Sequence, residues 1–305
     1  MAMKTGPQSK SDNKFTAKCR LLQSKYRAEV LKEPHGAGPT KNSKKVYGNM
    51  LVNGEETGSN FITRTAFDFA KEKVRLKKEN KYLTIDEFRL FNNMLSSMPM
   101  CFNLFSDLRK LLKENKHEAS RIIKQIFIEI PWIHTVTEID VEFIPTPIED
   151  YTNDKSAFDA MIIAETEDGQ RGLISIETKY TDLLGTNTAS DSKKKNELIE
   201  TGGFFNKELR KELKVNGYKQ IHRNFLLTYA YAVRNNFKYF INVILSPEED
   251  TVSVSEIDDM KKMMTKYKDC IQKVSLQDFV DRGVNCNNKE IKNVMYKFKE
   301  RYLNY

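Results

Sequence analysis

The chain has few of the residues that build zinc sites and disulfide frameworks: its 305 residues include four cysteines and four histidines. They are dispersed, with no CxxC pair and no histidine cluster. A zinc site of ordinary spacing is therefore not expected, and the cysteines are expected to be free thiols. If the protein binds a metal ion, its ligands should be carboxylates.

Long apolar runs are missing as well. No run approaches the roughly 18 consecutive apolar residues that a membrane span needs, and residues 1–15 lack the apolar middle of a secretory signal. These absences predict a cytoplasmic protein without a membrane partner. Charged residues make up 30% of the chain and the net charge is +8. An excess of positive charge favours a polyanionic partner such as nucleic acid.

The patterning predicts three regions. Residues 1–14 are polar and basic, which is typical of a disordered tail. Residues 15–130 show apolar side chains at helical spacing and predict a helical N-terminal region packed on the core. Near Val136 the period changes to two, so residues 131–305 predict an α/β core with a mixed sheet, flanking helices and C-terminal helices. Within it, residues 181–217 show little periodicity and predict a long loop.

The strongest candidates for catalytic residues lie in residues 155–180, a segment whose pattern predicts two strands around a polar turn. Asp159 lies in the first strand, while Glu177 and Lys179 share one face of the second because side chains alternate along a strand. Carboxylate oxygens suit Mg²⁺ or Mn²⁺, and a metal ion held there can activate water and neutralise a phosphorane-like transition state. A neighbouring lysine can orient or deprotonate that water and hold the phosphate. The pattern indicates metal-dependent phosphodiester hydrolysis.

The order strand, Asp159, turn, strand with Glu177-Thr178-Lys179, helix, strand resembles the PD-(D/E)XK nuclease superfamily, which has the restriction-endonuclease-like fold. Further segments resemble, in the same order, a family of bacterial proteins predicted to be restriction endonucleases: LLQSKYR from residue 21, LSSMPMCFNLFSDL at 95–108, NDKSAFDA at 153–160, ISIETKY at 174–180 and QIHRNFLL at 220–227. The resemblance extends from about residue 18 to 246. One departure is Phe158, which stands where the superfamily name implies proline.

The resemblance implies roles for individual residues. Asp159 matches the motif aspartate and Glu177 the motif acid, so both would bind Mg²⁺, with Mn²⁺ able to substitute. Lys179 matches the motif lysine. Many members add a further acid, for which the sequence offers Glu142 and Glu129, and also Glu118, without deciding among them.

Each of these interpretations has a structural alternative. Glu177 and Lys179 could form an exposed ion pair on a sheet face, which would stabilise the fold little. Other candidates could line the site or only form a solvated helix face: Gln220, Arg223 and Asn224. A third group could contact a DNA backbone or only form a solvated loop: Lys193, Lys194 and Lys195.

The sequence thus predicts a magnesium-dependent DNA endonuclease of restriction or phage defence. The alternative is a nucleic-acid-binding or regulatory protein that keeps the nuclease fold without cutting. DNA is the expected partner, and a homodimer is a candidate assembly because double-strand cutting often uses one site per strand.

Overall fold

A computed structural model describes residues 4–79, 84–182, 184–185 and 193–305. Within these residues the chain forms two compact units, one made of residues 1–110 and 277–305 and the other of residues 111–276. This division differs from the sequence-based boundary at residue 130, since the C-terminal helices group with the N-terminal ones. No helix in the described part of the chain is both long enough and apolar enough to cross a membrane.

The first unit is helical. Its helices, in chain order, are α1 (Lys14–Lys25), α2 (Gly54–Thr57), α3 (Arg64–Glu79), α4 (Glu87–Asn92), α5 (Ser97–Glu114) and, after the second unit, α11 (Leu276–Val284) and α12 (Lys289–Tyr302). Helices α5 and α11 extend past the bounds of the unit. A π-helical turn, Tyr26–Leu31, follows α1. The side chain of Arg301 on α12 is fully buried and donates to Asn60 Oδ1 at 2.7 Å and to the Ser59 carbonyl oxygen at 3.2 Å. A buried guanidinium needs such acceptors, which ties the C-terminal helix to the N-terminal segments.

The described part of the predicted disordered tail, residues 4–14, has defined contacts. The Arg27 guanidinium donates to the carbonyl oxygens of Lys4 at 2.9 Å and Thr5 at 3.0 Å. Asp12 pairs with Arg20. The basic composition predicted disorder, but these backbone acceptors satisfy a buried arginine and hold the segment in place.

The second unit contains a five-stranded mixed sheet of order β1-β2-β3-β4-β5. The strands are β1 (Thr135–Phe143), β2 (Phe158–Glu165), β3 (Arg171–Thr178), β4 (Tyr239–Ser246) and β5 (Ile271–Ser275). The first three pair antiparallel, and β3, β4 and β5 pair parallel. The predicted mixed sheet with flanking helices is therefore confirmed. A tight turn with Gly169 at a φ of +78° joins β2 to β3, a conformation that glycine adopts at little cost.

Helices cover this sheet. They are α6 (Lys116–Ile126), α7 (Lys193–Gly202), α8 (Lys207–Asn216), α9 (Gln220–Arg234) and α10 (Thr251–Met263), with short 3₁₀ turns at Ile148–Asp150 and Lys268–Cys270. Helix α9 packs on β3 and β4, and side chains on both faces of β3 are buried, since Ser175 and Ile176 are each at most 1% exposed. The polar face of β3 is thus buried.

The predicted long loop over residues 181–217 is wrong where the structure describes it, because α7 and α8 occupy most of that part. The side chain of Asn206 caps α8 by accepting from the Leu209 amide at 2.8 Å. Leu209 and Leu213, one turn apart, are buried. Their spacing was the available signal, and the surrounding lysines and glutamates obscured it. Residues 183 and 186–192 lie outside the described part.

Candidate active site

Asp159 and Glu177 face each other across β2 and β3. The antiparallel ladder pairs Ala160 with Ile176, so the next position outward sets Asp159 opposite Glu177 at the same end of the two strands. The Asp159 carboxylate is held there, because its Oδ2 accepts from the Thr178 amide at 2.7 Å and from the Thr178 hydroxyl at 2.9 Å. Register therefore brings together two acids that are 18 residues apart in the sequence.

Lys179 completes the predicted motif. Its amide donates to the Leu245 carbonyl oxygen at 2.9 Å, which extends the pairing with β4 by one residue. Its ammonium lies 2.8 Å from Glu177 Oε1. Glu177 is 6% exposed and Lys179 is 5% exposed. The pair is therefore buried, and the alternative of an exposed ion pair on a sheet face does not hold.

The site holds more negative charge than its surroundings accommodate easily. Burial, together with the negative charge of Glu177, raises the pKa of Asp159 to about 7 despite opposing effects of Lys179 and Thr178. Burial opposes the charged form of Lys179, yet the carboxylates of Glu177, Asp182 and Asp159 raise the pKa of its ammonium above the usual value. A partly buried and a buried carboxylate share one ammonium, so a bound cation would offset their negative charge.

Two amides from α9 hold Glu177. Gln220 Nε2 donates to Glu177 Oε1 at 2.7 Å, and Asn224 Nδ2 donates to Glu177 Oε2 at 2.9 Å. The two amides reach the same carboxylate because residues four apart lie on one helix face. Gln220 Oε1 also accepts from the Gly185 amide at 2.9 Å, so it links the segment after β3 to the acid. Arg223 points elsewhere and donates to the Tyr218 carbonyl oxygen at 2.7 Å.

The candidates for a further acid lie in different places. On β1 the register pairs Val141 with Ala160 and Phe143 with Phe158, which sets the intervening Glu142 beside Asp159. Glu142 is 7% exposed and has a φ of +50°. Glu129 is exposed in the turn after α6, and Glu118 pairs with Arg121 at 2.8 Å.

The donor set fits a hard divalent cation. Across the described residues, no three His, Cys, Asp or Glu side chains are grouped so as to hold a metal ion. Asp159 and Glu177 supply two carboxylates, and Mg²⁺ is commonly bound in proteins by one or two carboxylates, with waters and phosphate oxygens completing its coordination. Burial and the charge of Glu177 raise the pKa of Asp159, and a cation bound between the two carboxylates would offset both effects.

The three lysines predicted to contact DNA have different environments. Lys193 is exposed and Lys194 is half-buried. Lys195 is only 2% exposed, and its ammonium pairs with Asp154 at 2.6 Å and lies over the Tyr218 ring at 5.7 Å. A lysine buried in this way does not present its charge to a phosphate backbone. The sequence suggested otherwise because its partner is 41 residues away.

A buried histidine lies on α9 near the site. His222 is 6% exposed and packs against the Phe205 ring. Burial, followed by the positive charges of Lys219 and Arg223, lowers the pKa of His222 to about 4. No described residue forms a hydrogen bond with its Nδ1. His222 is therefore a neutral core residue at ordinary pH.

Sequence reasoning missed the polar layer beneath the site. The Ser175 hydroxyl lies 2.6 Å from the Thr228 hydroxyl, and Asn242 Nδ2 donates to Ser175 Oγ at 3.0 Å. Thr228 in turn donates to the Asn224 carbonyl oxygen at 2.7 Å. The one signal for this layer was the period-two polar face of β3, which reads equally well as a solvated face.

Comparison with known proteins gives one match. The family model described as the PD-(D/E)XK nuclease superfamily matches residues 10–304, nearly the whole chain. Searches for similar curated proteins and for similar solved structures find no match. The matched range includes Asp159, Glu177 and Lys179.

Proposed function

Because the chain belongs to the PD-(D/E)XK nuclease superfamily, we propose that it is a metal-dependent DNA endonuclease that hydrolyses phosphodiester bonds. The observation that carries the proposal is the convergence of Asp159, Glu177 and Lys179 at one end of β2 and β3, with the Lys179 ammonium 2.8 Å from Glu177 Oε1. The membership implies nuclease activity and a divalent metal in general terms. Mg²⁺, DNA and the endonucleolytic mode are the specific parts of the proposal.

Asp159 and Glu177 would hold the Mg²⁺, and Mn²⁺, which has the same preference for oxygen ligands, would substitute. When bound, the ion supplies a lowered pKa for a coordinated water and positive charge against the phosphoryl oxygens. Glu142, beside Asp159 in the β1 register, is the favoured candidate for a further acid. Glu129 is less favoured because it is exposed and belongs to the turn after α6.

The remaining residues of the site orient the reacting groups and neutralise negative charge. The Lys179 ammonium orients the attacking water and neutralises negative charge on the scissile phosphate. Gln220 and Asn224 donate to the two oxygens of Glu177 and fix the plane of its carboxylate. A carboxylate held by two donors keeps its orientation during the reaction.

DNA contact is proposed for two cations at the start of α7. Lys193 and Lys194, at the start of α7, are candidates to contact the phosphate backbone, and the net charge of +8 favours the encounter. Arg223, half-buried at the first turn of α9, remains a candidate to line the site. A role in restriction or phage defence, and a homodimer that cuts both strands, are the finer parts of this proposal.

Plasmid cleavage tests the proposal. Purified protein is incubated with supercoiled plasmid, with and without Mg²⁺, beside the variants Asp159→Ala, Glu177→Ala and Lys179→Ala. We expect nicked and linear products that require Mg²⁺ and that each variant loses. Glu167→Ala is the matched control, because Glu167 is an exposed acid in the turn at the opposite end of β2 and β3.

Binding measurements distinguish the enzyme from a non-cutting DNA-binding protein. Folded Glu177→Ala protein should still bind a DNA duplex with a salt-dependent affinity. Unchanged cleavage by folded Glu177→Ala and Lys179→Ala proteins would overturn the assignment. Salt-dependent binding by the wild type without any cleavage would favour the non-cutting alternative.

A further inference from the structure

Polar side chains follow one face of two neighbouring parallel strands. On β3 these are Ser175 and Glu177, with Lys179 next in the alternation. The β3–β4 register pairs Ser175 with Asn242 and Thr178 with Leu245. The hydrogen bond from Asn242 Nδ2 to Ser175 Oγ, 3.0 Å, shows that side chains paired in this register point to the same side of the sheet.

Ser246 is the next residue of this face at the edge of the sheet that carries the site. Since the Lys179 amide donates to the Leu245 carbonyl oxygen at 2.9 Å, the parallel pairing continues one step and sets Ser246 beside Lys179. Ser246 is four residues beyond Asn242 and therefore shares its face. Neighbouring strands lie roughly 4.8 Å apart, so the two side chains start from adjacent positions.

The hydroxyl of Ser246 is buried and unused. Ser246 is 0% exposed, and its Oγ has no hydrogen-bond partner among the residues that the structure describes. Leaving such a group unpaired destabilises the folded protein. On the same face, Ser175 is bonded to Thr228 and Glu177 accepts from Gln220 and Asn224. An unpaired buried hydroxyl next to the motif lysine suggests a partner acquired during the reaction.

We propose that Ser246 is a positioning residue for Lys179, an inference that rests on the proposed nuclease function. A lysine ammonium has three donors, and in this structure one of them engages Glu177 Oε1. When the ammonium turns from Glu177 towards the scissile phosphate, Ser246 Oγ accepts a second of its hydrogen bonds. Ser246 thereby fixes where the positive charge of Lys179 stands against the phosphate.

Replacing the hydroxyl separates this role from a structural one. Removing an unpaired buried hydroxyl should leave the free energy of unfolding unchanged or higher. A positioning hydroxyl should nevertheless be needed for turnover. With a short fluorescent DNA duplex and Mg²⁺, Ser246→Ala should lower kcat about 10-fold, the loss expected for one hydrogen bond to a charged group, while KM stays unchanged.

Two further variants make the test sharp. Ser246→Thr keeps the hydroxyl on a side chain suited to a strand and should recover most of kcat. Gln272→Leu is the matched control, because Gln272 Nε2 also lacks a partner in the described residues but pairs in register with Val243, on the opposite face. Its kcat should equal that of the wild type.

The outcomes are distinct. If the wild type cleaves and Ser246→Ala cleaves equally fast, this inference fails and the proposed function stands. A slow Ser246→Ala protein that is also less stable, with no recovery in Ser246→Thr, would make the residue structural and overturn the inference. If the wild type does not cleave, the proposed function fails and the inference fails with it.

Discussion

Lys195 is buried and ion-paired with Asp154 in the structure, whereas the sequence made it a candidate to contact DNA. Replacing Lys195 distinguishes these two roles. Lys195→Met keeps the length of the side chain and removes its charge, which leaves Asp154 without its cation. Deleting one partner of a fully buried ion pair costs about 3–5 kcal/mol. The Asp154 side chain is 27% exposed and keeps hydrogen bonds from Thr152 at 2.8 Å and Ser156 at 3.0 Å. Water and these donors offset part of the loss, so we expect a loss of about 2 kcal/mol.

Urea denaturation measures this loss as a difference in the free energy of unfolding. Lys193→Met is the matched control, because its side chain is 93% exposed and its unfolding free energy should change by no more than about 0.5 kcal/mol. The double variant Lys195→Met/Asp154→Asn should recover most of the stability, since no uncompensated charge remains. Recovery in the double variant would assign the loss to the stranded carboxylate.

The pH dependence of the same variant has a fixed sign. Burial alone would raise the pKa of Asp154, but the hydrogen bond and charge of Lys195 lower it below the ordinary value. The stability that the pair contributes is therefore present above a pH of about 4, the unfolded pKa, and is lost as pH falls through the lower folded pKa. The difference between the wild type and Lys195→Met should shrink in acid.

DNA affinity decides between the two roles of Lys195. Lys193→Met should weaken binding and reduce the salt dependence, whereas Lys195→Met should do neither at a temperature where it is folded. A Lys195→Met protein as stable as the wild type, with weaker and less salt-dependent binding, would refute the buried pair.

Three further predictions concern the site and its helix. Asp159→Asn should be more stable than the wild type at pH 8. The pKa of Asp159 is raised to about 7, so the stability contributed by its protonated form is lost as pH rises through about 7. The difference in Tm should vanish below pH 4, and an equal Tm at pH 8 would contradict the prediction. Asn224→Leu removes one hydrogen-bond donor to Glu177. The loss of one hydrogen bond to a charged group should lower the cleavage rate about 10-fold and raise the Mg²⁺ concentration that gives the half-maximal rate. An unchanged Mg²⁺ requirement would count against the prediction. His222→Phe should make the stability of the fold less sensitive to acid. Because the pKa of His222 is lowered to about 4, the free energy of unfolding of the wild type should fall by about 3 kcal/mol between pH 6.5 and pH 4. Equal slopes of stability against pH in the two proteins would rule the prediction out.

Local patterns in the sequence determined the elements around the site. Period-two alternation over residues 173–180 marked β3, which the structure places at Arg171–Thr178, and set Glu177 and Lys179 on one face. The apolar run before Glu165 marked β2 and located Asp159 near its start. These patterns depend on near neighbours only, so they are readable from the chain itself. The family match, over residues 10–304, includes these elements.

Pairings between distant residues could not be read in this way. The burial of Lys195 depends on its ion pair with Asp154. The polar face of α9 matters because Gln220 and Asn224 donate hydrogen bonds to Glu177, a contact that the sequence does not show. A lysine followed by glutamates looks the same whether it is solvated or buried. Propensity and periodicity carry no information about such partners.

The sequence by itself determined which residue types share a strand face at the candidate site, because side-chain alternation is a local property of an extended chain. Only the tertiary structure decided that side chains on both faces of β3 are buried, that the two acids meet across β2 and β3, and that Ser246 stands beside Lys179. Those facts follow from strand register and from helix packing, which bring together groups that are tens of residues apart.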